Sequence, residues 1–233
     1  MSGTTWPERA YGGALLVLTV ATGAIDGVSY LALDRVFTGN MTGNVLFIGF
    51  GLVGVQGIPV LNNLVALLTF LLGAVLGSRL TRRGVSGVRL PGASMGVLTG
   101  GTVLVLLLAA WWLVVGRIGT AEMIVITGVL ALLLGAQAAA VRHIGIRDLS
   151  TVVVTMTMVN LAADSRLAGG EGAAWLRRVA AIFTMGLGAL ASAAVVHSLG
   201  GGYALLLAGL VMAAGTGLMH RARQADRALQ PVA

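Results

Sequence analysis

The chain has no cysteine and no lysine among its 233 residues, and only 10% of them are charged. The first absence removes disulfides, thiolate metal sites and cysteine nucleophiles together. The second makes every fixed positive charge an arginine, 15 in all. Scarce charge beside 57% hydrophobic residues excludes a soluble domain and makes the chain an integral membrane protein. The net charge of +7 is no argument for nucleic acid. Basic loops beside membrane spans are accounted for by orientation and anionic headgroups, whereas a nucleic-acid module needs a folded basic face with stacking aromatics. Enzyme chemistry is not expected. There is no His-Glu-x-x-His and no pair of acids on one helix face, and His143, His197 and His220 sit at span ends. No metal and no cofactor is expected.

Six apolar runs are long enough to cross a hydrocarbon core, which takes about 20 helical residues: roughly 11–33, 59–80, 94–116, 121–141, 179–197 and 203–220. Two more are short and polar at one end, 45–55 and 151–163. The first run continues past any cleavage point and reads as an uncleaved span rather than a signal peptide. If all eight cross, the arginines divide seven against eight, with no bias. If the two short segments dip in and return, thirteen arginines share one face and only Arg35 and Arg117 lie opposite. That asymmetry is what the positive-inside rule asks for, with both termini in the cytoplasm of a bacterium and the protein in its inner membrane. Trp6, Tyr11 and Trp175 then fall at inner helix ends, and Tyr30, Trp111, Trp112 and Tyr203 near outer ends. The expected fold is an all-α membrane protein of six transmembrane helices plus two short or re-entrant half-helices.

A weak internal repeat organises these segments. Asn40-Met41-Thr42 aligns with Thr155-Met156-Thr157 at an offset of 115, and Phe70 to Gly73 aligns with Phe183 to Gly186 at 113. Gly23 to Asp26 faces Gly135-Ala136-Gln137 at a similar distance. Each half, about 11–116 and about 121–220, contains three spans and one short segment, so the second enters the membrane from the opposite side. The chain reads as one membrane domain, 1–233, built of two inverted repeats, an architecture of transporters and some channels.

The candidate site follows from the short segments, since irregular backbone at membrane depth is tolerated only where protein buries it or it lines a cavity. Thr38, Gly39, Asn40, Thr42, Gly43 and Asn44 cluster before the first. Thr42 or Asn44 is expected to cap a half-helix beginning near Val45, whose free amides would suit an anion or another hydrogen-bond acceptor. The competing reading is that these side chains only bridge helices. Thr157 and Asn160 are the second-half candidates, although Thr157-Met158-Val159 lacks the glycine of Thr42-Gly43-Asn44. Asp26 is the one acid well inside an apolar span. It reads either as a proton-coupling site or as an acceptor for free amides near Thr42-Gly43-Asn44 that holds the broken segment in place. Gln137, its neutral counterpart, is expected to be polar glue. The spacings Gly73 to Gly77 and Gly96 to Gly100 point to close internal helix packing.

Asp26 to Leu31, Val36 to Asn44 and Gly135 to Gln137 together resemble the YoaK-like family of bacterial membrane proteins. Its most specific feature is Phe-x-x-x-Met-Thr-Gly-Asn, here Phe37 to Asn44. The resemblance covers most of the chain and implies membrane residence without a substrate. That family often has a threonine-glycine pair where this chain has Thr157-Met158.

The expected function is transport of a small polar or anionic solute, proton-coupled if Asp26 titrates. A passive channel with a half-helix pore would treat Asp26 as scaffold, and a membrane scaffold or lipid-binding protein would transport nothing. The lipid bilayer is the one certain partner, and glycine-rich faces allow a homo-oligomer.

Overall fold

The computed structural model describes residues 6–82, 90–146, 154–172 and 174–229. Arg83, Arg89, Arg147 and Thr151 lie outside these residues, as do the side chains of Trp6 and His143. The described residues contain eight α-helices and no strand. They are α1 (Trp6–Ala32), α2 (Met41–Leu52), α3 (Val60–Thr81), α4 (Gly92–Val115), α5 (Thr120–Val141), α6 (Val154–Ala163), α7 (Trp175–Leu199) and α8 (Gly201–Ala228). Six are long and apolar enough to cross a membrane. At 1.5 Å per residue, the 12 residues of α2 and the 10 described residues of α6 reach only about 18 and 15 Å, short of a bilayer core.

Packing partners fix the direction of every long helix. α1 and α8 are antiparallel, with Tyr11 donating to Asp226 (3.3 Å) and Leu18 against Gly215. α4 is antiparallel to α8 as well: Thr102 and Thr216 share a hydrogen bond of 2.9 Å, and Leu113 meets Gly202. α5 runs against α4. The other two close pairs are parallel. Gly73 and Gly77 of α3 lie on the backbone of Leu132 and Ala136 in α5, while Gly23 and Gly27 of α1 lie on Met185 and Ala189 in α7. Hence α1, α4 and α7 run one way and α3, α5 and α8 the other.

Had the short helices crossed, α4 and α8 would be parallel. Instead they are antiparallel, with the end of α1 and the start of α3 at one end of the bundle and the end of α5 and the start of α7 at the other. Asn62 at the start of α3 donates to the Leu33 carbonyl just beyond α1 (2.9 Å), which closes the first connection at one end. This geometry places every described arginine except Arg35 and Arg117 at one end of the bundle.

α1 and α5 occupy the centre, while α3, α4 and especially α7 leave most of their surface outward. Outward leucines and valines are normal for helices bathed in lipid, where association depends on close packing rather than on the hydrophobic effect. The glycine spacings divide accordingly. Gly73 and Gly77 serve an internal crossing, but Gly96 and Gly100 have nothing within 4 Å of a Cβ, because they face away from the bundle.

A Cβ at Gly188 would overlap the Val20 carbonyl, so Gly188→Val must separate α1 from α7. Overpacking of this kind costs about 1–3 kcal/mol. Thermal unfolding in detergent, followed by tryptophan fluorescence, should show a clearly lowered midpoint for Gly188→Val and an unchanged one for Gly96→Val. Equal midpoints would contradict the crossing.

Candidate functional site

The site begins where α1 stops. Asp34 and Arg35 adopt left-handed backbone (φ 69° and 54°), and the Arg35 amide closes onto the Tyr30 carbonyl at 3.1 Å. An aspartate tolerates that region better than most residues. The chain thereby folds back along α1, where Phe37 stacks on Tyr30 (centroids 4.9 Å apart) and on Phe47 of α2 (6.0 Å).

Folding back delivers two backbone amides to Asp26. Its Oδ1 accepts from the Thr38 amide (2.9 Å), the Gly39 amide (2.6 Å) and the Thr38 hydroxyl (3.2 Å). The carboxylate thus holds the broken segment, as one of the two sequence readings expects, but through Thr38-Gly39 rather than Thr42-Gly43-Asn44. The reason is that helix α2 starts earlier than expected, at Met41. There Asn40 is the N-cap, accepting from the Gly43 amide at 3.5 Å. Neither Thr42 nor Asn44 caps the helix. Asn44 instead pairs both ways with the backbone of Phe37, its Oδ1 accepting from the amide (2.9 Å) and its Nδ2 donating to the carbonyl (2.6 Å). Fully buried, it is a clamp on the fold-back. Gly43 lies under the Phe37 ring, where a Cβ would stand 2.8 Å from Cδ2.

Gln137 of α5 reaches the same region, with Nε2 donating to Thr22 Oγ1 at 3.3 Å. Thr22 is one turn before Asp26 on α1 and carries its own hydroxyl proton to the Leu18 carbonyl (3.0 Å). Gly39 passes directly over both, since a Cβ there would stand 3.1 Å from Thr22 Cγ2 and 3.2 Å from Asp26 Oδ2. Asp26 and Gln137 are both buried, and each has one oxygen, Oδ2 and Oε1, without a hydrogen-bond partner among the described residues.

Beside Asp26 lies a cavity of about 460 Å³. Asn40 and Thr42, the start of α2, form one wall; Val154, Thr155 and Met156, the described start of α6, form another. Gly23 and Asp26 of α1, Phe37, and Met185 and Ala189 of α7 complete it. Met185 and Ala189 are in the middle of α7, about 15–20 Å from its first residue at 1.5 Å per residue. The two short helices therefore start at one cavity deep in the bundle and run out toward opposite ends. α2 finishes against the start of α3, where Gly51 meets Val60. α6 finishes against the start of α7, where Arg178 donates to the Asn160 carbonyl (2.8 Å) and to Asp164 (2.6 Å).

Of the residues singled out in the sequence, Asp26, Asn40 and Thr42 line the cavity, while Thr38, Gly43, Asn44 and Gln137 support it from behind. Thr157 and Asn160 do not line it. Thr157 is two positions beyond Thr155, about 200° around the helix, and is buried. Asn160 is a turn further, where its carbonyl helps brace α7. Thr155 and Thr22 are the residues the sequence reading left out. Thr155 is the repeat partner of Asn40, and Thr22 shares the Asp26 face of α1 at i−4. A larger groove of about 920 Å³ opens between α6 and α7, but Arg178 and Asp164, two charged groups in it, are paired to each other.

Residues 14–218 match the family described as "Protein of unknown function (DUF1275)". The chain is similar to the UPF0700 transmembrane protein YoaK of Bacillus subtilis (strain 168), with 27% identity over 156 residues, 66% of this chain and 68% of the relative. No solved structure matches. Six long apolar helices and a transmembrane relative mark a multi-pass membrane protein.

Asp26→Ala leaves two buried amides without an acceptor, at about 1–3 kcal/mol for each orphaned donor. Asp26→Asn keeps an oxygen in the place of Oδ1. The expected order of thermal stability in detergent is wild type, then Asp26→Asn, then Asp26→Ala well below; an Ala variant as stable as the Asn variant would contradict the tether.

Proposed function

Because the chain belongs to the DUF1275 family, whose description assigns no activity, we propose from its geometry that it is a transporter of a small polar or anionic solute. The cavity between α2 and α6 is its binding site. One observation carries this reading: two short helices have their described starts at a common cavity that Asp26, a buried acid, also lines. Helices interrupted at mid-membrane put their terminal amides where a solute is bound, and irregular backbone at that depth belongs to a lined cavity.

The packing supports two inverted repeats, α1–α4 and α5–α8. α1 packs on α7 as α5 packs on α3, and α1 on α8 as α5 on α4. α2 lies on α3 as α6 lies on α7. The second set runs opposite to the first, so α2 and α6 are re-entrant from opposite faces of the bilayer. With the described arginines concentrated at the end that carries the start of α1 and the end of α8, that end faces the cytoplasm of a bacterial inner membrane. Rocking of one repeat against the other would then open the cavity to each side in turn.

The natural absence of cysteine makes a direct test available. In right-side-out and inside-out vesicles, Thr42→Cys and Thr155→Cys should each react with a membrane-impermeant thiol reagent, and reaction from one side should slow reaction from the other. Free reaction of both from both sides at once would indicate an open channel instead. Complete protection in every vesicle would leave a scaffold.

A further inference from the structure

The cavity wall offers several hydrogen-bond donors. The Met41 amide is turned to the Gly39 carbonyl (3.2 Å) and the Gly43 amide to Asn40 Oδ1, which leaves the Thr42 amide with no acceptor among the described residues. As the first full turn of a helix, these amides also carry its partial positive charge. With Asn40 Oδ1 occupied, the free end of that side chain is its NH₂ group. Thr42 and Thr155 add two hydroxyls. A cation would find the Asp26 oxygen, but it would meet the positive end of α2 as well.

Among the described residues the lining contains no arginine and no histidine. Amides and hydroxyls can hold one negative charge, whereas a dianion such as phosphate calls for guanidinium or ammonium groups. The remaining wall is apolar: Phe37, Val154, Met156, Met185 and Ala189. A cavity of about 460 Å³ is roomy for a bare halide and accommodates a short organic body. One polar end and one apolar side describe a small carboxylic acid.

Asp26 then has a defined part. Its Oδ1 already accepts three hydrogen bonds, so an added proton resides on Oδ2, the oxygen without a partner. The groups around it are Ser29 on α1, Thr38 and Gly39 on the fold-back, Thr22 with Gln137 on α5, Thr155 on α6 and Ala189 on α7, none of them titratable. Among the described residues Asp26 is therefore the one group beside the cavity at which a proton can be taken up. Unprotonated, it would repel an anion beside it; protonated, it is neutral and does not.

Building on the transporter reading, we infer that the cavity binds a small monocarboxylate together with one proton on Asp26 Oδ2. The carboxylate accepts from the Thr42 amide and the two threonine hydroxyls, beside an Asp26 neutralised by the proton, while its short carbon chain lies against Phe37 and Met185. The proton comes from water with the anion and leaves with it, so the pair moves without net charge.

The test uses Ala189→Cys, a lining residue outside the donor set, in membranes exposed to a neutral maleimide. Propionate and lactate should slow labelling saturably, and phosphate, tetramethylammonium and glycerol should not. The concentration needed for half protection should rise about tenfold per pH unit once Asp26 is ionised in the free protein. Asp26→Asn, neutral at every pH, should be protected equally throughout. If that variant does not fold, the pH profile of the Asp26 protein decides alone. Protection by tetramethylammonium or glycerol but by neither carboxylate would overturn the substrate class and leave the transport site standing. Labelling that no probe slows would do the same. Carboxylate protection that is flat with pH while Asp26 is present would overturn the shared proton. Failure of Ala189→Cys to react in any membrane preparation would remove the transport reading and this inference together.

Discussion

One carboxylate oxygen in the first span determines how the first half of the molecule is built. A carboxylate among lipid-facing helices is costly unless it is supplied with donors, and backbone amides freed by a turn need acceptors just as strongly. Asp26 Oδ1 and the amides of Thr38 and Gly39 satisfy each other. Because those amides follow α1 by only a few residues, the chain has to turn back along it, and α2 starts beside Asp26 instead of out in the headgroup region. The Tyr30–Phe37–Phe47 stack and the Asn44 clamp on Phe37 then hold the turn from both sides. The second oxygen of Asp26 is left over, beside a cavity.

The second half reaches that cavity by different chemistry. α6 is braced at its far end by Arg178, which joins the Asn160 carbonyl and Asp164 to the start of α7. Glycines set its distance from the first half: Gly23, Gly27 and Gly188 bring α1 and α7 together until one backbone touches the other. Gly73, Gly77 and Gly135 do the same for α3 and α5. Such contact is how helices in lipid gain packing energy without a hydrophobic driving force. It also keeps bulky side chains out of the crossings that frame the cavity, so the site is lined by short polar groups and a few apolar ones.

Much of the fold was legible in the sequence, because apolar length and arginine sidedness are strong signals in membrane proteins. Five of the six long helices lie within about five residues of the expected runs, while α8 runs on to Ala228, past the expected end at 220. The start of α2 was misplaced by four residues, since the apolar run begins at Val45 but the cap is Asn40. Hydropathy does not register a polar first turn. Asn44 looked like a ligand group and is a clamp, a distinction that depends on where Phe37 folds back and that no local pattern contains. Thr155 went unchosen because Thr157 matched the repeat spelling of Thr42 more obviously; only the angle around α6 separates them. Gly96 and Gly100 carry the same spacing as Gly73 and Gly77 and face away, because spacing specifies a stripe and not its partner.

The central claim is that the two short helices, entering from opposite ends, start at one cavity. A double variant, Thr42→Cys with Thr155→Cys, treated in native membranes with a short bifunctional thiol reagent, tests it most directly. The structure predicts a cross-link within a single chain, detected as an internally bridged peptide pair, and none when Thr155→Cys is replaced by Leu167→Cys at the far end of the α6 connection. A bridge formed only between separate chains, or no bridge under conditions in which both cysteines react singly, would contradict it.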